Sequence, residues 1–289
     1  MTNMEFDKNR PLRVATLCSG YDSQCLALER LKAAYPDFDY ELVAWSEFDP
    51  ESKSPLERQP AVRAHNALFP QWEDRNWGDM TKIDWAKFPD CDLLFYSTPC
   101  QSISAAGLQH GFAEGSGTRS SIIWNVRDAV MAKRPKYLCL ENVAAMVQKK
   151  FVGMFNLWQR ELERLGYVNF ARILNSMDYG VPQHRPRIFL VSIRMDGLEG
   201  LSGNVRYHFP KPFKLEKRLI DMVEEDVDEK YYLTEERLQG LFKSCKKEKE
   251  KGNGFDFKPR GGGDIAVTIQ SRPGNRKTDN FLYEEIDTI

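Results

Sequence analysis

Apolar residues recur along the first two thirds of the chain in two rhythms. Short apolar runs at 12–17, 41–46, 92–96, 137–140, 170–174 and 187–193, each bounded by turn residues, predict buried strands. Between them, Cys25, Leu28, Leu31 and Tyr35 recur at helical spacing until Pro36 stops the pattern. A short helical piece is expected around 61–68. A longer helix carries Ile122, Ile123, Val126, Val130 and Met131 up to Pro135, and another runs over 155–165 to Gly166. Asp22 or Ser23 is placed to cap the first helix, and Ser120 or Ser121 the helix before Pro135. Strands alternating with helices predict an α/β protein, a Rossmann-like open sheet with helices on both faces.

Beyond Met195 the pattern changes. Acidic residues cluster over 221–229 and lysines over 243–251, and glycines punctuate 252–254 and 261–263. This predicts a core domain over 1–194 and a smaller, partial region over 195–289. Its charge runs read as solvated faces, in a glycine-rich appendage suited to a phosphate backbone. Residues 281–286 read as the start of a strand.

Composition narrows the function classes. The 289 residues are 42% hydrophobic and 29% charged, with a formal net charge of −1. There is no global basic field, so nucleic-acid binding has to use local patches. No apolar run approaches a membrane span, and the polar start lacks a signal peptide's basic and apolar regions; a cytoplasmic protein is expected. Six scattered cysteines include no CxxC and no Cys/His cluster, which supports neither a disulfide framework nor a metal site.

Candidate chemistry gathers at strand ends, where ligands bind in open α/β sheets. Cys100 follows Pro99, which stiffens the loop leaving the strand at 92–96. It is a candidate nucleophile, although position alone favours a buried structural thiol. Glu47 closes the second strand where a ribose diol sits in such folds, with a solvated loop carboxylate as the alternative. Glu141 and Asn142, at the end of another strand, are costly to bury without partners. The link 183–187 sets Arg185 and Arg187 on one side of an extended backbone. Dense glycines over 105–117 suggest a closing loop over the strand end. The turn over 18–23 is not GxGxxG, and Asp22 would repel a pyrophosphate, so a dehydrogenase on this fold is disfavoured.

Taken in order, Pro99-Cys100-Gln101, Leu140-Glu141-Asn142-Val143 and Gln183-His184-Arg185-Pro186-Arg187 resemble the motifs of the cytosine-5 DNA methyltransferases. Asp178-Tyr179-Gly180-Val181-Pro182 is also similar, and the likeness covers about residues 12–194. The resemblance implies a S-adenosylmethionine-dependent methyltransferase acting on a flipped cytosine of double-stranded DNA and releasing S-adenosylhomocysteine. It implies that Cys100 attacks C6, that Glu141 engages N3, and that Asn142 orients the base or holds the loop. Arg185 would stabilise O2 and the flipped nucleotide, with Arg187 acting less directly or serving a phosphate or a structural pair. The cofactor would be held by the turn (Leu17, Ser19, Gly20, Tyr21, Asp22, Ser23), by Glu47 with Phe48, by Asp79 with Met80, and by Thr98 and Pro99. Gln101, Ser102, Ser104 and Gln183 would contact substrate, with no metal involved. A tRNA cytosine methyltransferase and a catalytically silent DNA- or cofactor-binding remnant are the alternatives. The turn carries fewer glycines than the family's, and the family's closing motifs are not found before Ile289. Truncation, a separate segment completing the fold, or loss of catalysis follows as an expectation.

Overall fold

The structure, a computed structural model, describes residues 10–103, 110–196, 205–250, 257–269 and 279–283. Strands β1 (Leu12–Leu17), β2 (Tyr40–Ser46), β3 (Leu93–Tyr96), β4 (Tyr137–Val143), β5 (Tyr167–Asn175) and β7 (Pro186–Arg194) form one sheet in the order β2-β1-β3-β4-β7-β5. β2, β1, β3 and β4 run parallel in that order, and β7 is antiparallel to β4. The connections are helices α1 (Ser23–Ala34), α2 (Pro60–Leu68), α3 (Ile123–Lys133) and α4 (Val152–Arg164).

The two-residue strand period sorts side chains into two cores. Val14, Leu42 and Trp45 pack with Cys25 and Leu28 of α1 and Val62 of α2. Their neighbours Ala15, Leu17, Val43 and Ala44 pack on the opposite face with Val126 and Val130 of α3 and Phe155, Trp158 and Leu162 of α4. Apolar residues on both faces explain why these strands read as continuous runs. Trp158 is fully buried; its indole N–H donates to Tyr96 Oη at 3.1 Å, and its ring meets Trp124 edge-on at 5.5 Å. Trp158→Ala is therefore expected to cost about 3–5 kcal/mol, read as a lowered denaturant midpoint. A change within about 0.5 kcal/mol would mean this core does not hold the α4 face.

Several local expectations need correcting. Asp22 sits at the N-cap of α1, but its side chain makes no capping bond and turns into the protein. Ser120 and Ser121 do not cap α3; they lie in a 3-10 turn over Arg119–Ile122 and bond to Pro99 and Thr118 carbonyls. β4 does not end at Leu140. It runs through Glu141 and Asn142 to Val143, because β7 continues to pair with it there after β3 has stopped at Tyr96.

The chain divides into two compact units, Met1–Ile173 with Arg187–Phe209, and Leu174–Pro186 with Pro210–Ile289. A single cut after residue 194 does not describe this. Residues 174–186 leave the strands to join the later chain: β6 (Gln183–His184) pairs in parallel with β8 (Ala266–Val267), and the Asp178 carbonyl accepts from the Phe213 N–H. The lysine run lies on the second half of α5 (Glu235–Glu250), where Lys243, Lys246, Lys247 and Lys249 are exposed as a solvated face. Thr234 Oγ1 accepts from Arg237 N, glutamates occupy the first turn and lysines the last, matching the helix dipole. Cys245 of α5 is buried beside Phe257, which packs on Phe242 and Phe281. Of the strand expected over 281–286, Leu282 makes an isolated bridge to Arg260, and residues beyond 283 lie outside the described ones. No helix among the described residues is long and apolar enough to cross a membrane.

Candidate active site

Two adjoining features of the first unit carry the chemistry. The turn between β1 and α1 is the first. Within five residues Cys18, Gly20 and Asp22 all have left-handed backbones, with φ of 51°, 61° and 60°. This tight path brings the Gly20 N–H to Glu47 Oε2 at 2.7 Å, and Ser19 N donates to the Ser46 carbonyl at the end of β2. A Cβ at Gly20 would meet no atom within 4 Å, so the turn faces open space there. Ser19 Oγ is buried and has no hydrogen-bond partner among the described residues. Burial pushes the Glu47 carboxyl above its usual range against the Gly20 hydrogen bond, and Asp22 and Asp49 add to the rise. Tyr21 and Ser23 are exposed, whereas Leu17 is fully buried and its carbonyl accepts from Ser97 N.

Asn76 ties the next segment to this turn. Its Oδ1 accepts from Glu47 N and from Gly78 N, which leads into Asp79 and Met80. The Asp79 carboxylate accepts from the Thr81 N–H and hydroxyl and pairs with Lys82. Burial opposes its charge, but those partners outweigh it and hold Asp79 below the usual carboxylate range. Lys82 Nζ also lies 5.8 Å from the Phe48 ring centroid, and buried Met80 packs its sulfur 3.3 Å from Cys18 Sγ.

The second feature is the segment after β3. Ser120 clamps it, its Oγ donating to the Pro99 carbonyl at 2.6 Å and accepting from Ser102 N. Ile103 N donates to the Cys100 carbonyl, and Gly111 N to the Ser102 carbonyl. Cys100 is thus presented half-exposed on a bonded turn, with Gln101 exposed and Ser102 buried beside it. Desolvation holds the thiols of Cys18 and Cys25 far above their usual range and pushes Cys91 and Cys139 up to about 12, which keeps those four protonated. Ser104 lies outside the described residues, as does most of the glycine-rich stretch up to residue 109.

Gly111 closes that turn at φ 83°, and a Cβ there would stand 2.7 Å from Met154 Cε. Gly111→Ala is expected to cost about 1–2 kcal/mol from the backbone strain. Met154→Ala in the same chain should not restore the denaturant midpoint, because the strain stays when the side-chain clash goes.

The overhang of β4 brings Glu141 to the segment after β3. Ser97 Oγ donates to Glu141 Oε2 at 2.9 Å, and Arg187 Nε lies 3.0 Å from Glu141 Oε1. Strand register creates the ion pair: Arg187 stands opposite Val143, which places it diagonally across from Glu141 on the same sheet face. Asn142 points the other way, is buried, and donates through Nδ2 to the Thr98 carbonyl at 3.0 Å. Glu141 with Arg187, and Asn142, are therefore tied to Ser97 and Thr98, in the segment that leads through Pro99 to Cys100. Arg185 and Gln183 belong to the second unit. There Asn175 Oδ1 accepts from Arg185 N, and the Gln183 carbonyl accepts from Ser176 Oγ. Ser97, Asn76, Ser120 and His65 were not foreseen as site residues. Only His65 left a signal, lying with Val62 and Phe69 on the apolar spacing of α2.

Among the described residues no group of three or more His, Cys, Asp or Glu side chains is placed to hold a metal. The arrangement suits chemistry by a thiol, a carboxyl and a guanidinium, with an adjoining turn whose carboxylate accepts from donors such as a diol.

The chain is 44% identical over 160 residues to the type II methyltransferase M2.ScrFI of Lactococcus lactis subsp. cremoris, covering 55% of this chain and 42% of that protein. It is 31% identical over 263 residues to the orphan methyltransferase M.Rho11sI of Bacillus phage rho11s, covering 83% and 49%. The chain thus spans about half the length of these relatives. The fold matches the Entamoeba histolytica methyltransferase EhMeth with a TM-score of 0.64 at 18% identity, over 90% of this chain and 71% of that one. It matches S. pombe Dnmt2 at 0.58 and 17% identity, over 89% and 70%. Residues 12–286 match the model of the C-5 cytosine-specific DNA methylases, and the chain belongs to that family.

Proposed function

We propose that the protein transfers a methyl group from S-adenosylmethionine to C5 of cytosine in double-stranded DNA, through a covalent bond between Cys100 and C6 of a flipped base. The observation that carries this reading is the network joining the Cys100 turn to the Glu141–Arg187 pair, beside a glycine turn faced by Glu47.

Cytosine C5 is too weak a nucleophile to take a methyl group directly. Addition of the Cys100 thiolate to C6 forms a C–S bond and pushes electron density to C5. Glu141 hydrogen-bonds or protonates N3, so that the displaced charge has an acceptor. Arg187 holds the Glu141 carboxyl in place, Asn142 fixes the loop through Thr98, and Arg185 is assigned to O2 of the base. After methylation, loss of the C5 proton and expulsion of the Cys100 thiolate restore the aromatic ring. Gln101, Ser102, Ser104 and Gln183 are assigned to DNA, with the glycine-rich segment closing behind the flipped base.

The cofactor supplies an electrophilic methyl group on a sulfonium. The residues present fit it. Ser19, Gly20, Tyr21 and Ser23 line an open turn at the N-terminus of α1, which suits its carboxylate. Glu47 and Phe48 take the ribose side, Asp79 and Met80 the adenine, and Thr98 and Pro99 close the floor. Leu17 and Asp22 shape the turn through their backbones, since both side chains are fully buried.

The test is incubation with tritiated cofactor and either duplex DNA or tRNA, with the product nucleoside identified by mass spectrometry. Label recovered as 5-methylcytosine from duplex DNA is expected. Label in tRNA alone, methylation at cytosine N4, or no transfer to either would overturn the proposal.

A further inference from the structure

Asp22 combines two costly features: a non-glycine residue with left-handed backbone, and a carboxylate with no solvent exposure. Each has a visible compensation. Because alternate residues of β1 face opposite cores, Thr16 points to the α1 and α2 side, where its hydroxyl donates to Asp22 Oδ2 at 3.1 Å. From α2, His65 Nε2 lies 3.2 Å from the same oxygen, at ion-pair distance but without the alignment of a hydrogen bond; that ring is also fully buried and stacks on Trp45 with centroids 3.6 Å apart. Asp22 Oδ1 has no hydrogen-bond partner among the described residues. The carboxylate is thus held from one side by two groups, drawn from a strand and from a helix distant in sequence. Its backbone meanwhile forms the turn itself, with Asp22 N donating to the Ser19 carbonyl and the Asp22 carbonyl accepting from Cys25 N.

We infer that Asp22 and His65 are positioning residues for the turn that receives the cofactor. The buried pair holds the left-handed backbone at residue 22 through a side-chain anchor, where glycine would hold it simply by lacking a Cβ. The inference rests on the cofactor reading above and extends it to a residue of α2 outside the turn. Gly20 N, two residues before Asp22, is the donor to Glu47. A shift of the residue 22 backbone therefore displaces both the open turn and its carboxylate. His65 acts through Asp22 and does not touch the ligand.

Substituting both partners separates anchoring from packing. His65→Leu leaves the carboxylate facing an apolar side chain, and the affinity for S-adenosylhomocysteine by titration calorimetry should fall at least about tenfold. Asp22→Gly added to His65→Leu removes the carboxylate and permits the left-handed backbone. The dissociation constant should then return to within about threefold of wild type. His65→Gln keeps an N–H donor and loses the stack on Trp45. It should keep affinity within about threefold while the melting temperature falls. If His65→Leu does not fold, the Gln variant and the double variant still decide the matter. Failure of the double variant to bind, or equal loss of affinity in His65→Gln and His65→Leu, would overturn the inference while leaving the cofactor reading intact. A wild-type protein that binds no S-adenosylhomocysteine would overturn both.

Discussion

Replacing Cys100 with alanine is expected to lower methyl transfer to DNA by at least about a thousandfold while leaving S-adenosylhomocysteine binding within about twofold of wild type. The asymmetry follows from how the segment after β3 is held. Its shape depends on backbone groups: the carbonyls of Pro99, Cys100 and Ser102 accept from Ser120 Oγ, Ile103 N and Gly111 N. None of these bonds uses the thiol, so alanine removes a nucleophile and keeps the turn. The other five cysteines provide no substitute. Four are kept protonated by desolvation, and Cys245 is buried in α5 of the second unit. Tritium transfer by Cys100→Ala at more than about a tenth of the wild-type rate would exclude covalent catalysis through this residue.

Glu141→Gln should reduce the turnover rate by about 10²- to 10⁴-fold with little change in KM for DNA, as removal of a general acid does. Glutamine is nearly isosteric and still accepts from Ser97 Oγ, so its position is kept. What disappears is the negative charge 3.0 Å from Arg187, whose side chain is only 14% exposed. Leaving a guanidinium that enclosed without its carboxylate should cost a further few kcal/mol of stability, on the order of 1–3. The double variant Glu141→Gln with Arg187→Ala should regain part of that stability and none of the activity. Denaturant midpoints and single-turnover rates on the same samples check both statements. Additive losses in both measurements would mean that the two residues act independently.

The parts of the fold readable in the sequence are those set by local rhythm. The six strands of the main sheet follow from short apolar runs, continuous where a strand is covered on both faces, and its four helices from apolar residues at helical spacing. Misreadings concentrate where one residue type serves two ends. Asp22 and Ser120 have the local sequence of helix caps, yet the Asp22 side chain accepts from Thr16 on the preceding strand and Ser120 donates to the Pro99 carbonyl 21 residues back. β4 outruns its apolar stretch because an antiparallel partner exists there, in the pairs Glu141–Phe189, Asn142–Ile188 and Val143–Arg187, distant along the chain. α5 escapes a reading based on charge, although Thr234, the early glutamates and the late lysines spell its two ends. The discontinuous second unit was out of reach, since pairing of 183–184 with 266–267 leaves no local trace. Within the site, the motif residues were legible by type and spacing. Of their supports, His65 left a trace on the apolar spacing of α2, whereas Ser97 and Asn76 did not, because each is defined only by what folding brings beside it.

The diagonal placement of Glu141 and Arg187 across β4 and β7 bears on how this sequence can change over time. Side chains in a strand exchange faces with every one-residue shift. Deleting a single residue of β7 after Arg187, with the pairs beyond it kept in register, therefore moves the guanidinium to the other side of the sheet and brings a different neighbour against the carboxylate. Such a deletion amounts to two simultaneous substitutions at the site. Length variation is expected to be tolerated outside this strand pair and purged from within it. The spacing between the glutamate and arginine motifs is then free to drift only through segments that do not alter the register.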